Sequence, residues 1–119
     1  MLVDDDRNTI TLLQTLLELD GFEVAVCPRG AEVLERARAE GPDAILMDYH
    51  LIDVKGLDVL IALRADRELA ALPVVMTSGL DVSEPCKAAG ADAFLGKPYD
   101  PGSLVKTLNH LIEKRRTGS

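Results

Sequence analysis

Tryptophan is absent from this 119-residue chain, and aromatic residues make up only 3% of it. A core built without large rings must come from Leu, Val, Ile and Ala, and apolar residues at 47% are enough to supply one. No apolar run approaches the ~20 residues that a membrane-crossing helix needs, so membrane insertion is not expected. A secretory pattern is lacking too, because acidic residues begin at Asp4. Basic residues are outnumbered: 13 Lys and Arg against 20 Asp and Glu leave a formal net charge of −7. Such a surface repels phosphate backbones, which argues against direct nucleic-acid binding. The one basic cluster, Lys114-Arg115-Arg116, suits the negative end of a terminal helix. The two cysteines, Cys27 and Cys86, have neither metal-ligand spacing nor a disulfide framework. They read as small free thiols in the core of a cytoplasmic protein.

Hydrophobic periodicity divides the chain into short apolar runs alternating with amphipathic stretches. Met1-Leu2-Val3 runs into Asp4, and a helix is expected over about 8–19, with Ile10, Leu13, Leu16 and Leu17 on one face. Asp20-Gly21 stops it. The alternation in Glu23-Val24-Ala25-Val26-Cys27 predicts an edge strand with one wet face. A second helix, Ala31 to Glu40, packs through Val33, Leu34 and Ala37 and closes at Gly41-Pro42. Ala44-Ile45-Leu46-Met47 and Pro73-Val74-Val75-Met76-Thr77 are apolar on both faces, as central parallel strands are. Between them a helix from Gly56 turns Leu57, Leu60, Ile61 and Leu63 inward. A short helix near 84–89, a strand at Ala93-Phe94-Leu95 and a final helix complete the pattern. That last helix is capped by Asp100-Pro101 and packs through Leu104, Leu108, Leu111 and Ile112. Five β-α units imply one doubly wound α/β domain, a parallel sheet covered by helices on both faces. With 22 residues after Lys97, the chain has room for one more helix and no output module.

Ligands of open α/β sheets sit beyond the carboxyl ends of the strands. There the chain carries Asp4-Asp5-Asp6, Asp48, Ser78 and Lys97, each group from a different strand. Several carboxylates so close repel one another unless a cation offsets them, and hard oxygen ligands favour Mg²⁺. A lysine facing them suits a phosphoryl group.

These residues resemble the response-regulator receiver domain, the phosphoacceptor half of two-component signalling. The resemblance is carried by Leu2-Val3-Asp4-Asp5-Asp6, Ile45-Leu46-Met47-Asp48, Pro73 to Gly79 and Ala89-Gly90-Ala91-Asp92-Ala93-Phe94-Leu95-Gly96-Lys97-Pro98. It implies a (βα)5 flavodoxin-like fold with sheet order 2-1-3-4-5 over residues 1–119. It also implies that Asp48 takes a phosphoryl group from a sensor histidine kinase or histidine phosphotransfer protein. Asp4, Asp5, Asp48 and the backbone carbonyl of His50 would hold Mg²⁺. Lys97 and Ser78 would contact the phosphoryl oxygens, with Thr77 a weaker candidate for the hydroxyl. Phe94 would follow Ser78 as a switch, and a cis peptide is implied at Lys97-Pro98. The output would pass to a downstream protein, a fused output domain or a homodimer, with at most slow self-dephosphorylation. The His50 side chain sits where it would border the path of hydrolytic water.

Four features depart from the family pattern. Ile52 replaces a common proline, and Lys55 precedes the turn glycine Gly56. Only 19 positions separate Ser78 from Lys97, roughly one helical turn fewer than usual, and the loss falls on the fourth helix. The chain also begins almost inside its first strand. Two other readings are a receiver scaffold that binds partners without phosphorylation, and an Asp-nucleophile phosphohydrolase. The latter would use Asp4 as nucleophile and Asp6 as acid/base, but Asn8 stands where that group carries Thr or Val.

Overall fold

In a computed structural model that describes residues 1–117, the apolar runs form five parallel strands and the amphipathic stretches five α-helices. They follow in the order β1 (Leu2–Val3), α1 (Arg7–Leu19), β2 (Val26–Cys27), α2 (Val33–Glu40) and β3 (Ile45–Asp48). Next come α3 (Gly56–Ala65), β4 (Val74–Ser78), α4 (Ser83–Ala88), β5 (Ala93–Gly96) and α5 (Pro101–Thr117). The sheet order is β2-β1-β3-β4-β5, the doubly wound arrangement expected.

Two-residue periodicity explains why β3 and β4 read as continuously apolar. Val3, Ile45, Met47, Val74 and Met76 face one helical layer, meeting Val33, Ala37, Leu60, Leu63 and Cys86 of α2, α3 and α4. Leu2, Leu46 and Val75 face the other, against Leu13 and Leu17 of α1 and Leu104 and Leu108 of α5. Among the described residues no helix is long and apolar enough to cross a membrane.

Helix ends follow local chemistry. α1 stops where Gly21 adopts φ +91° and donates to the Glu18 carbonyl while Phe22 donates to that of Leu17. α5 starts at Pro101, with the Asp100 carbonyl accepting from the Ser103 and Leu104 amides at 2.9 and 3.2 Å. At the end of α3, Arg64 clasps the fold. Its guanidinium donates to the carbonyls of Gly90 (2.8 Å) and Leu72 (2.7 Å) and to Asp92 Oδ2 (2.8 Å).

Three expectations change. β2 is two residues long rather than five, because it pairs only with β1, through Leu2↔Val26 and Val3↔Cys27, and its ladder ends where β1 ends. Ile61 is 51% exposed, and Val59 is buried in its place. The inward stripe of α3 is Gly56, Val59, Leu60 and Leu63, a three- and four-residue spacing that leaves Ile61 outside it. α2 begins at Val33, after a 3₁₀ turn over Gly30–Glu32. The fourth helix is as short as the spacing required, and Cys86 is its one buried residue.

Candidate functional site

Parallel pairing brings the carboxyl ends of four strands to one edge of the sheet. Val3 is in register with Met47, Asp48 with Thr77, and Ser78 with Gly96. Hence Asp4, Asp48, Ser78 and Lys97, each at or one step past the end of its strand, gather above the same edge.

Asp48 is nearly buried and has two partners. Its Oδ2 lies 3.1 Å from Lys97 Nζ, and its Oδ1 accepts the His50 N–H at 3.0 Å. Asp4 is 3% exposed, and its Oδ1 accepts the Asp6 N–H at 3.0 Å. Burial lifts the Asp4 carboxyl above its ordinary range, and the neighbouring Asp48 charge adds to the rise. The Asp6 amide and the Lys97 charge oppose it. Asp5 Oδ2 accepts the Ile52 N–H at 2.5 Å, a bond that proline at this position would forbid. Ser78 is fully buried. Its Oγ accepts the Leu80 N–H at 3.0 Å and lies 3.1 Å from His50 Nε2. The Lys97 amide donates to the Ser78 carbonyl at 2.8 Å, and the Lys97-Pro98 bond is cis.

The loop from β3 to α3 holds this geometry. Gly56 donates to the Tyr49 carbonyl at 3.0 Å, and His50 bridges to Lys55. A Cβ at Gly56 would overlap the Asp48 carbonyl oxygen, so only glycine allows α3 to start this close to the strand end. Asp53 ties the loop to the 3₁₀ turn before α2 by accepting from the Gly30 (3.1 Å) and Ala31 (3.0 Å) amides.

The site therefore unites Asp4, Asp48 and Lys97, with Ser78 and His50 bonded to each other beside them. Phe94 is half-buried, in register with Met76 and packed against the α3–α4 side of the core. Thr77 is buried next to Asp48 in the ladder. Asp6 is exposed at the N-cap of α1, where it accepts from Thr9 Oγ1 at 2.5 Å, a bond that holds its carboxyl below the usual range. That posture does not suit a general acid. Sequence reading missed the Ile52 and Leu80 amides, the Asp53 tie and Tyr99. The Tyr99 hydroxyl is pushed up to about 12, first by burial and then by the charges of Asp4 and Asp48.

Among the described residues no three His, Cys, Asp or Glu side chains converge as a ready-made metal cage. Mg²⁺ does not require one, since it keeps several waters and binds through one or two carboxylates. The donor set fits that habit, because the Asp4 and Asp48 charges repel each other and the Lys97 charge opposes that repulsion.

The family model described as "Response regulator receiver domain" matches residues 1–109. The transcriptional regulatory protein PrrA of Mycobacterium bovis is 36% identical over 116 residues, covering 97% of this chain and 50% of that protein. This chain thus spans about half the length of PrrA. The polar-differentiation response regulator DivK of Brucella ovis is 32% identical over 115 residues, with 94% of each chain covered. Among solved structures, the receiver domain of the sensor histidine kinase PA1611 from Pseudomonas aeruginosa superposes with a TM-score of 0.85 at 27% identity, covering 94% of each chain. That structure has a magnesium ion coordinated in its active-site cleft.

Proposed function

This chain belongs to the response-regulator receiver family of two-component signalling, and from that premise we propose that Asp48 is its phosphoacceptor. The observation that carries the reading is the Asp48–Lys97 pair at the strand ends, 3.1 Å apart beside the buried carboxyl of Asp4. The donor is a phosphohistidine on a sensor histidine kinase or a histidine phosphotransfer protein. A carboxylate oxygen of Asp48 attacks the phosphorus. The new O–P bond forms as the N–P bond breaks, and the electron pair returns to the imidazole nitrogen. The product is an acyl phosphate whose extra negative charge faces Lys97.

Asp4, Asp5, Asp48 and the His50 carbonyl are the groups to hold Mg²⁺, which when bound neutralises charge on the transferring phosphoryl oxygens. Lys97 exchanges its bond to Asp48 for one to a phosphoryl oxygen. Ser78 turns its hydroxyl to another, drawing the β4–α4 loop inward, and Phe94 follows. The altered face is read by a downstream protein, a fused output domain or a second copy of the chain. Receiver domains act as signalling domains rather than turnover enzymes, and slow hydrolysis of the acyl phosphate resets this one in the cytoplasm. Residues 1–119 form the phosphoacceptor domain.

Intact mass after incubation with acetyl phosphate tests the reading. One added phosphoryl group is expected, requiring both Mg²⁺ and Asp48 and absent from Asp48→Asn. A folded protein with no adduct under any condition overturns it and leaves a binding module on a receiver scaffold. Fast multiple turnover with phosphate on Asp4 would instead identify a hydrolase.

A further inference from the structure

His50 touches both halves of the site at once. Its backbone N–H sits on Asp48 Oδ1 at 3.0 Å, and its ring Nε2 lies 3.1 Å from Ser78 Oγ. We propose that the His50 side chain is a positioning residue that latches the Ser78 hydroxyl in the unphosphorylated state, so that capture of a phosphoryl group must break the His50–Ser78 hydrogen bond. The inference rests on the phosphoacceptor reading of Asp48 and adds to it a residue that sets how readily the switch moves.

A hydroxyl has one proton and two lone pairs. The Leu80 amide can only donate, so it occupies one lone pair of Ser78 Oγ. In the latched state the His50 ring carries its proton on Nδ1, so that bare Nε2 accepts the one proton of the hydroxyl. Oγ is then fixed between two partners, neither of which is Asp48, and has no second proton to give. Because Ser78 is wholly buried, no bulk water stands ready to replace a lost partner. The hydroxyl reaches a phosphoryl oxygen at Asp48 only by exchanging His50 for it.

The two ends of the latch are built differently. The backbone of His50 is rigid, bridged to Lys55 and followed by the Gly56 amide bonded to the Tyr49 carbonyl. Its ring is exposed and rests edge-on to Tyr49, with centroids 4.9 Å apart and planes at 69°. Among the described residues, Ser78 is its one side-chain hydrogen-bond partner. The ring can therefore let go without disturbing the amide that holds Asp48.

The test is the affinity for beryllium trifluoride, a non-covalent phosphoryl mimic, measured by calorimetry with Mg²⁺ present. His50→Ala removes the latch and is expected to tighten binding about 2- to 10-fold, the span of one neutral hydrogen bond. His50→Gln, whose carboxamide can still bond the hydroxyl, is expected to bind within about twofold of the native protein. In a Ser78→Ala background the His50→Ala substitution is expected to change nothing, because the latch has lost its other end. An unchanged or weaker affinity in His50→Ala overturns the proposal, as does equal tightening with and without Ser78. Failure of the native protein to bind the mimic would sink the phosphoacceptor reading itself and the latch with it.

Discussion

Lys97 and Asp48 meet across 49 positions of sequence, with Nζ 3.1 Å from Oδ2, at a point where the acid is 10% and the lysine 35% exposed. A pair this sheltered differs from a surface ion pair, because removing one member strands the other with little water to take its place. Lys97→Met is expected to slow phosphoryl transfer to Asp48 about 100-fold, the usual cost of one preorganised stabilising group. It also leaves Asp48 relying on the His50 amide alone, which costs about 1 kcal/mol of stability. Initial rates of adduct formation and urea unfolding check the two effects. Adding Asp48→Asn to Lys97→Met is expected to restore the lost stability.

Asp4 makes the fold sensitive to pH. Burial raises its carboxyl above the ordinary 3.8, so the folded chain binds this proton more tightly than the unfolded chain does. The associated stability is present below 3.8 and lost as the pH rises through the folded value. Asp4→Asn keeps an oxygen for the Asp6 amide but carries no charge. It is expected to be more stable than the native protein at neutral pH and to converge with it in acid. Urea midpoints across that range decide the matter, and a variant less stable at neutral pH would contradict this account.

Magnesium is expected to reverse the same penalty. A cation bound only by the folded state adds about 2.7 kcal/mol when present at roughly 100 times its Kd. Melting temperatures of the native protein should climb with Mg²⁺ concentration, and those of Asp5→Asn should climb much less. Calcium-free buffers and a chelator control identify the ion responsible.

Two glycines pack tightly in different ways. A methyl group at Gly56 would overlap the Asp48 carbonyl oxygen and sit 3.0 Å from Tyr49 Cα, both backbone atoms. At Gly30 the neighbours are side-chain atoms of Val54, Leu51 and Val59, the nearest on stiff β-branched Val54. Gly56→Ala is expected to cost about 3 kcal/mol and Gly30→Ala about 2 kcal/mol, within the span for overpacked sites. Gly56→Ala should also lower the yield of the adduct proposed for Asp48, because relief requires moving the strand end that carries it. Thermal unfolding and adduct yield measure both.

Much of this architecture was legible in the chain. Ile45-Leu46-Met47 and Val74-Val75-Met76 announced buried parallel strands by lacking a polar face, and the polar residues ending them marked the site. What escaped depends on partners distant in sequence. The length of β2 is set by β1, not by the alternation in Glu23–Cys27. α3 is so rich in apolar residues that composition cannot tell which face turns inward, so Ile61 was misplaced. The bonds from Ile52 to Asp5 and from His50 to Ser78 tie the loop after β3 to the ends of other strands, and that loop carries no periodicity to read. Ile52 did stand out as a departure from the family's proline, and its amide turns out to be in use.

The six residues of α4 have a consequence for how the molecule reports its own motion. A helix that short is not stable by itself, since isolated helices need about 12–15 residues. α4 is held by one buried side chain, Cys86, and by the Arg64 clasp on Gly90 just beyond it. Its opening is therefore among the cheapest local unfolding events available to the fold. Burial raises the Cys86 thiol above its ordinary range, which keeps it unreactive while the helix is closed. In a Cys27→Ala background, and with enough alkylating reagent to outpace reclosing, the rate at which the single remaining thiol is consumed counts the openings of α4.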